Sequence, residues 1–107
     1  MKLKIKYWLK LWELRLSEKL GDIEPETLII AEDILLFAYR RKNLPIVMVI
    51  DNSFVKFSFI RGGSMTQVRI NKLGLIWAST YQYKYGDWTK FNRNQILAFY
   101  STFGKYI

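Results

Sequence analysis

The segment from Pro45 to Asn71 limits the fold more than any other part of the chain. It holds three runs rich in β-branched and aromatic residues, at about 46–50, 54–60 and 65–71, separated by Asp51-Asn52-Ser53 and Arg61-Gly62-Gly63-Ser64. These separators are turn sequences, and strands joined by such short turns must pair antiparallel. The segment therefore predicts a meander of at least three strands.

Three further segments complete the predicted fold. Residues 75–85, LIWASTYQYKY, form a fourth β-rich run after Gly74, and Pro25 begins a helix at about 25–42. That helix is apolar nearly all round, which is typical of an element covered by its neighbours. Aromatic residues at helical spacing predict a short C-terminal helix at about 93–103. We therefore expect an α+β fold, with helices on one face of an antiparallel sheet of three to four strands.

Residues 2–16, KLKIKYWLKLWELRL, fit two structures. We predict a strand at about 2–7 followed by a helix at about 8–20, and a longer bulged strand is the alternative. A helix here would carry two apolar faces, one with Ile5, Trp8, Leu9, Trp12, Leu16 and Leu20, the other with Leu3, Tyr7, Leu11 and Leu14. The lysines are expected to keep an exposed edge from aggregating. Peripheral binding to anionic lipid is the weakest of the readings, because two apolar faces suit a buried element better.

Composition narrows the class of protein. The chain has 107 residues, enough for one domain, and half of them are hydrophobic, which predicts a folded chain. It has no cysteine and no histidine, so thiolate metal sites and histidine-based catalysis are excluded. No apolar run is long enough for a signal peptide or a membrane span. We expect a cytoplasmic protein.

Little in the sequence predicts catalysis. The carboxylates Glu32, Asp33 and Asp51 do not have the spacing of a metal site, and Gly62-Gly63 lacks the spacing and lysine of a phosphate-binding loop. We expect no cofactor, no metal and no enzymatic activity. One minor alternative is a metal-independent, toxin-type endoribonuclease, for which the chain offers Arg61, Arg69, Lys72, Tyr81, Tyr83 and Lys84.

Charge indicates the class of partner. The net charge is +8, and residues 40–107 contain eleven basic residues but only two acidic ones. Bases alternate there with aromatic residues, a pattern suited to stacking nucleobases and neutralising phosphates. The predicted nucleic-acid-binding residues are Arg61, Arg69, Lys72, Tyr81, Tyr83, Lys84, Trp88, Lys90 and Arg93. If the tyrosines instead pack in the core, binding would depend on phosphates alone.

A second hypothesis concerns a protein partner. Lysine-, isoleucine-, asparagine- and tyrosine-rich usage is typical of an AT-rich genome, and small basic proteins of phages and other mobile elements often inhibit host proteins or ribonucleoprotein complexes. Trp8, Trp12 and Trp88 could anchor such an interface or a homodimer, because tryptophan is enriched at binding hot spots. The ordinary expectation for each tryptophan is a place in the core. Salt dependence separates the two hypotheses, because phosphate binding weakens steeply with salt.

Overall fold

Five antiparallel strands and three α-helices form the protein in a computed structural model that describes residues 2–81 and 86–107. The predicted site residues Tyr83 and Lys84 lie outside the described residues. The elements in chain order are α1 (Leu3–Lys19), α2 (Pro25–Arg40), β1 (Val47–Asp51), β2 (Phe54–Arg61), β3 (Ser64–Ile70), β4 (Ile76–Tyr81), β5 (Thr89–Phe91) and α3 (Ile96–Phe103).

The strands follow one another in the sheet in the order β1-β2-β3-β4-β5, which confirms the predicted meander. Two tight turns set the pairing of the first three strands. Asn52 and Ser53 have φ angles of 48° and 69°, and Gly62 and Gly63 have 57° and 82°. Two consecutive positive φ angles are the signature of the hairpin turn whose twist matches that of the strands.

Successive side chains of each strand point to opposite sides, which gives the sheet an inner and an outer face. The inner face is buried and carries Val55, Phe57 and Phe59 of β2, opposite Ile70, Val68 and Thr66 of β3. The outer face carries the intervening residues, among them Lys56 of β2 and Arg69 of β3. Because side chains alternate strictly along a strand, this register decides which residues face the helices and which face solvent.

Helices α2 and α3 cover the inner face. Helix α2 contacts β2 and β3, whereas α3 contacts β4 and β5. The two helices also meet each other, since the rings of Phe37 and Tyr100 stack with centroids 4.1 Å apart. Phe99 of α3 is fully buried and lies edge-on to Phe91 of β5. The aromatic stripe predicted for the C-terminal helix thus packs into the core.

The N-terminal segment corrects one prediction. Helix α1 begins at Leu3, so the strand predicted at 2–7 and the alternative of a longer bulged strand are both wrong. Of the two apolar faces, the one with Tyr7, Leu11 and Leu14 is buried, and α1 packs on α2. Tyr7 stacks on Tyr39 of α2 with centroids 4.4 Å apart. Leu3 in the first turn is also partly buried against the core, and leucine and lysine favour a helix intrinsically.

Strand β5 is the other difference from the sequence-based fold, which allows three to four strands. It has three residues, and it pairs with β4 through Phe91 opposite Ile76 and Lys90 opposite Trp77. A run this short has too little alternation to be recognised in a sequence.

Within the described ranges, no helix combines the length and hydropathy needed to cross a bilayer.

Candidate nucleic-acid interface

One row of side chains crosses the outer face from strand to strand. Lys56 of β2 lies opposite Arg69 of β3, Arg69 opposite Trp77 of β4, and Trp77 opposite Lys90 of β5. We call these four residues the outer row. Adjacent strands lie about 4.8 Å apart, so the row spans ~14 Å. Three cations and one indole therefore stand side by side on a single surface, although they come from four strands.

Among the residues that the structure describes, three large aromatic side chains are exposed on this face. Trp77 is 36%, Trp88 41% and Phe54 45% exposed. Together with Arg69 they line a shallow groove of about 360 Å³. Large aromatic residues are usually buried, so a cluster of three with open surfaces is a sign of a binding site.

The cations are stacked on the indoles. The guanidinium carbon of Arg69 lies 4.9 Å from the ring centroid of Trp88, and the ammonium nitrogen of Lys90 lies 5.6 Å from that of Trp77. Such cation–π contacts hold long, flexible side chains near one position. They also place a positive charge beside each aromatic surface, the combination that single-stranded nucleic acid requires for its bases and phosphates.

A second groove extends the site toward the β1–β2 turn. Val49, Asp51, Asn52, Phe54, Lys56 and Arg69 line it, and its volume is about 410 Å³. Phe54, Lys56 and Arg69 thus connect it to the aromatic cluster. Asp51 is the one acidic residue among the lining residues of the two grooves, so cations outnumber carboxylates across this part of the face.

The structure places the predicted nucleic-acid residues in three regions. Arg69, Trp88 and Lys90 lie together on the outer face. Arg61 ends β2, and its guanidinium donates to the backbone carbonyl of Arg41 at 3.4 Å. Lys72 and Arg93 line a separate groove that also contains Glu24 and Glu26. Their charges are offset there by two carboxylates, so the groove that contains Lys72 and Arg93 is a poor phosphate site.

Tyr81 lies on the outer face, but not in the outer row. It is paired with Met65 of β3, and its hydroxyl donates to the sulfur of Met65 at 2.9 Å. The other two tyrosines of the predicted face are Tyr83, which like Lys84 is outside the described residues, and Tyr85, which is outside them as well. Of the tyrosines predicted to stack bases, the structure therefore describes Tyr81, and the exposed aromatic cluster defined above consists of other residues.

Sequence reasoning missed Phe54, Lys56 and Trp77. Their signal was the alternation within each strand: Lys56 stands between Val55 and Phe57, and Trp77 between Ile76 and Ala78. What alternation alone could not provide is the register between strands, which puts Lys56, Arg69, Trp77 and Lys90 in one row. A pairing alignment outward from the Gly62-Gly63 turn would have placed Lys56 opposite Arg69, whereas the register of β4 and β5 is not fixed by a short turn.

The carboxylates that were considered as metal ligands have other roles or positions. Across the described ranges, no three acidic side chains lie close enough together to hold a metal ion. Glu32 accepts a hydrogen bond from Arg15 at 2.6 Å, and Asp33 accepts one from the Tyr100 hydroxyl at 2.6 Å. Burial, together with this bond to Asp33, raises the pKa of Tyr100 well above its usual range. Asp51 is on the outer face, at the end of β1.

Comparisons of the chain with protein-family models, with curated proteins and with solved structures find no match. Any functional conclusion therefore rests on the residues and geometry of this chain.

Proposed function

We propose that this protein binds single-stranded nucleic acid, RNA or DNA, on the outer face of its sheet. Phe54, Trp77 and Trp88 stack the bases, and Lys56, Arg69 and Lys90 contact the phosphates. A sheet face with a few exposed aromatic side chains can hold two or three bases in this way. Stacking favours single strands, because only unpaired bases offer a free ring surface. The proposed ligand includes both free nucleic acid and the single strands of a host ribonucleoprotein complex, and the proposed location is the cytoplasm.

The observation that supports this proposal best is the coincidence of charge and aromatic surface in the outer row. Arg69 and Lys90 lie over Trp88 and Trp77, so each indole has a cation within 6 Å. A surface whose charges serve only solubility does not require exposed tryptophan side chains, and tryptophans that belong to a core are buried. A phosphate-only surface would also lack the stacking platform.

The proposed role is binding without catalysis. Of the residues considered for metal-independent RNA cleavage that the structure describes, Arg69 and Tyr81 are on the outer face, whereas Arg61 ends β2 near Arg41 and Lys72 is in the groove with Glu24. Cleavage by the substrate's own 2′-hydroxyl needs a base, an acid and a cation at one phosphate. The outer row supplies cations and aromatic surfaces, which suits binding.

The test is a fluorescence anisotropy titration with labelled single-stranded RNA, single-stranded DNA and duplex DNA, at about 50 and 150 mM salt. We expect both single strands to bind more tightly than the duplex. With three phosphate contacts, log K should fall with log salt with a slope near −2, since each contact on a single strand contributes about −0.7.

Two results would overturn the proposal. One is tighter binding to duplex DNA than to either single strand, which would mean that phosphates alone are recognised. The other is the loss of all binding at 150 mM salt, which would make the net charge incidental. In addition, RNA from a titration carried out with a chelator present is run on a denaturing gel. Cleaved RNA on this gel would support the ribonuclease alternative in place of binding without catalysis.

A further inference from the structure

Helix α1 exposes the apolar face that does not pack on α2. Ile5, Trp8, Leu9 and Trp12 occupy positions i, i+3, i+4 and i+7, which form one continuous stripe on a helix. We call these four residues the α1 ridge. Trp8 is 50% and Trp12 63% exposed, and the two aliphatic members are about as open. Two adjacent exposed tryptophans mark a surface that has a binding partner.

Basic residues border the α1 ridge on both sides. With 3.6 residues per turn, Lys4 and Arg15 fall along one side, and Lys2 and Lys6 along the other. Arg15 is already paired with Glu32, whereas Lys2, Lys4 and Lys6 are exposed. A second copy of this helix would bring these cations against one another, so the charge pattern disfavours a homodimer through the ridge.

A basic groove continues from the α1 ridge to the start of β1. Leu9 belongs to both, and the groove has a volume of about 560 Å³. Its lining also includes Lys6, Lys10, Glu13, Lys42, Asn43 and Ile46, so three lysines outnumber one carboxylate there. Ile46 is exposed, which extends the apolar surface beside the lysines. The side-chain amide nitrogen of Asn43, Nδ2, is buried and has no hydrogen-bond partner among the described residues. An anionic oxygen entering the groove would give that donor an acceptor and would meet three lysines.

We propose that the α1 ridge and this groove dock the protein on an anionic lipid bilayer. Trp8 and Trp12 would lie at the level of the headgroups, Ile5 and Leu9 would enter the acyl boundary, and a lipid phosphate would occupy the groove. A bilayer satisfies all these features at once, because it offers an apolar layer directly below a plane of negative charge. This inference is independent of the proposed nucleic-acid binding, which uses the opposite side of the sheet.

Vesicle sedimentation of the full chain tests the proposal. Vesicles with about 30% phosphatidylglycerol in phosphatidylcholine should bind the protein, pure phosphatidylcholine vesicles should not, and raising the salt should weaken the binding. Trp8→Ala with Trp12→Ala should lower the partition coefficient at least tenfold. The matched control is Trp77→Ala with Trp88→Ala, which removes the same side chains from the outer face and should leave lipid binding unchanged.

Fluorescence gives an independent readout of the same event. In a variant with Trp77→Phe and Trp88→Phe, only Trp8 and Trp12 emit, and their emission should shift to shorter wavelength on phosphatidylglycerol vesicles. If removal of both α1 tryptophans unfolds the chain, Lys4→Gln with Lys6→Gln tests the charge instead and should also weaken binding.

Three outcomes contradict the proposal. One is the absence of binding to the anionic vesicles, and another is binding that Trp8→Ala with Trp12→Ala does not change. The third is a dimer in analytical ultracentrifugation that the same two substitutions dissociate, because the ridge would then be covered by a second copy.

Discussion

Arg69 and Arg61 show how much depends on the position of a single residue. Both were predicted to contact nucleic acid, and they lie at opposite ends of the β2–β3 hairpin, Arg61 beside the turn and Arg69 near the open end. Arg69 lies on the outer face, opposite Lys56 and Trp77. Arg61 is on the same side of β2 as the inner-face residues Phe57 and Phe59, because it follows them at two-residue spacing. Its guanidinium donates to the backbone carbonyl of Arg41. Composition and charge could predict that basic residues form the site, but the register of the strands was needed to choose between these two.

Arg69→Ala should weaken binding to single-stranded RNA about tenfold, or about 1.4 kcal/mol, because it removes a phosphate contact and a stacked partner of Trp88. Arg61→Ala is the matched control: it loses the same charge away from the outer row and should change affinity much less. Melting temperatures of both variants check the fold. Equal loss of affinity in the two variants would show that only the overall charge matters.

Tyr100 should give the protein a pH-dependent contribution to stability. Its hydroxyl donates to Asp33, and burial with this bond raises its pKa in the folded state. A raised pKa means that the stabilisation is complete below the unfolded pKa of about 10 and is lost as the pH rises above it. Tyr100→Phe should therefore cost about 1 kcal/mol at pH 7.

Denaturant unfolding of the wild type and Tyr100→Phe at pH 7 to 11 measures this effect. The difference in unfolding free energy between the two proteins should narrow above about pH 10. A difference that stays constant across this range would mean that Tyr100 ionises as easily in the folded as in the unfolded chain.

At the scale of elements, a helix or strand could be predicted from the sequence where turn or helix-start residues mark its ends. The hairpins could be recognised because Asn52-Ser53 and Gly62-Gly63 suit tight turns, and α2 because Pro25 begins it. The N-terminal segment has apolar residues compatible with both a strand and a helix, so only the tertiary contacts of α1 with α2 decide it. The sequence also could not tell which of its two apolar faces would be buried.

A pair of leucine substitutions tests the orientation of α1. Leu14 is fully buried, whereas Leu9 on the α1 ridge is about half exposed. Leu14→Ala should lower the free energy of unfolding by about 2–5 kcal/mol, as leucine truncations in cores do. Leu9→Ala should cost less than about 1 kcal/mol. Chemical denaturation of the two variants measures both values, and similar costs would mean that α1 is not packed as described.

At the scale of the whole molecule, two surfaces that combine basic residues with exposed tryptophans lie on different layers. The outer row carries Lys56, Arg69 and Lys90 with Trp77 on the sheet, and the α1 ridge is bordered by lysines on the helical layer. Each surface has its own pair of exposed tryptophans. This separation means that one pair can be removed while the other is left as the control.

The central claim is that the aromatic residues of the outer face bind single-stranded nucleic acid. The most direct measurement is the affinity for labelled single-stranded RNA at 150 mM salt of two double variants, Trp77→Ala with Trp88→Ala and Trp8→Ala with Trp12→Ala. Each lost stacking surface should cost about 1–3 kcal/mol, so the first variant should bind at least thirtyfold more weakly. The second should bind like the wild type. Equal affinities of the two folded variants would contradict the account.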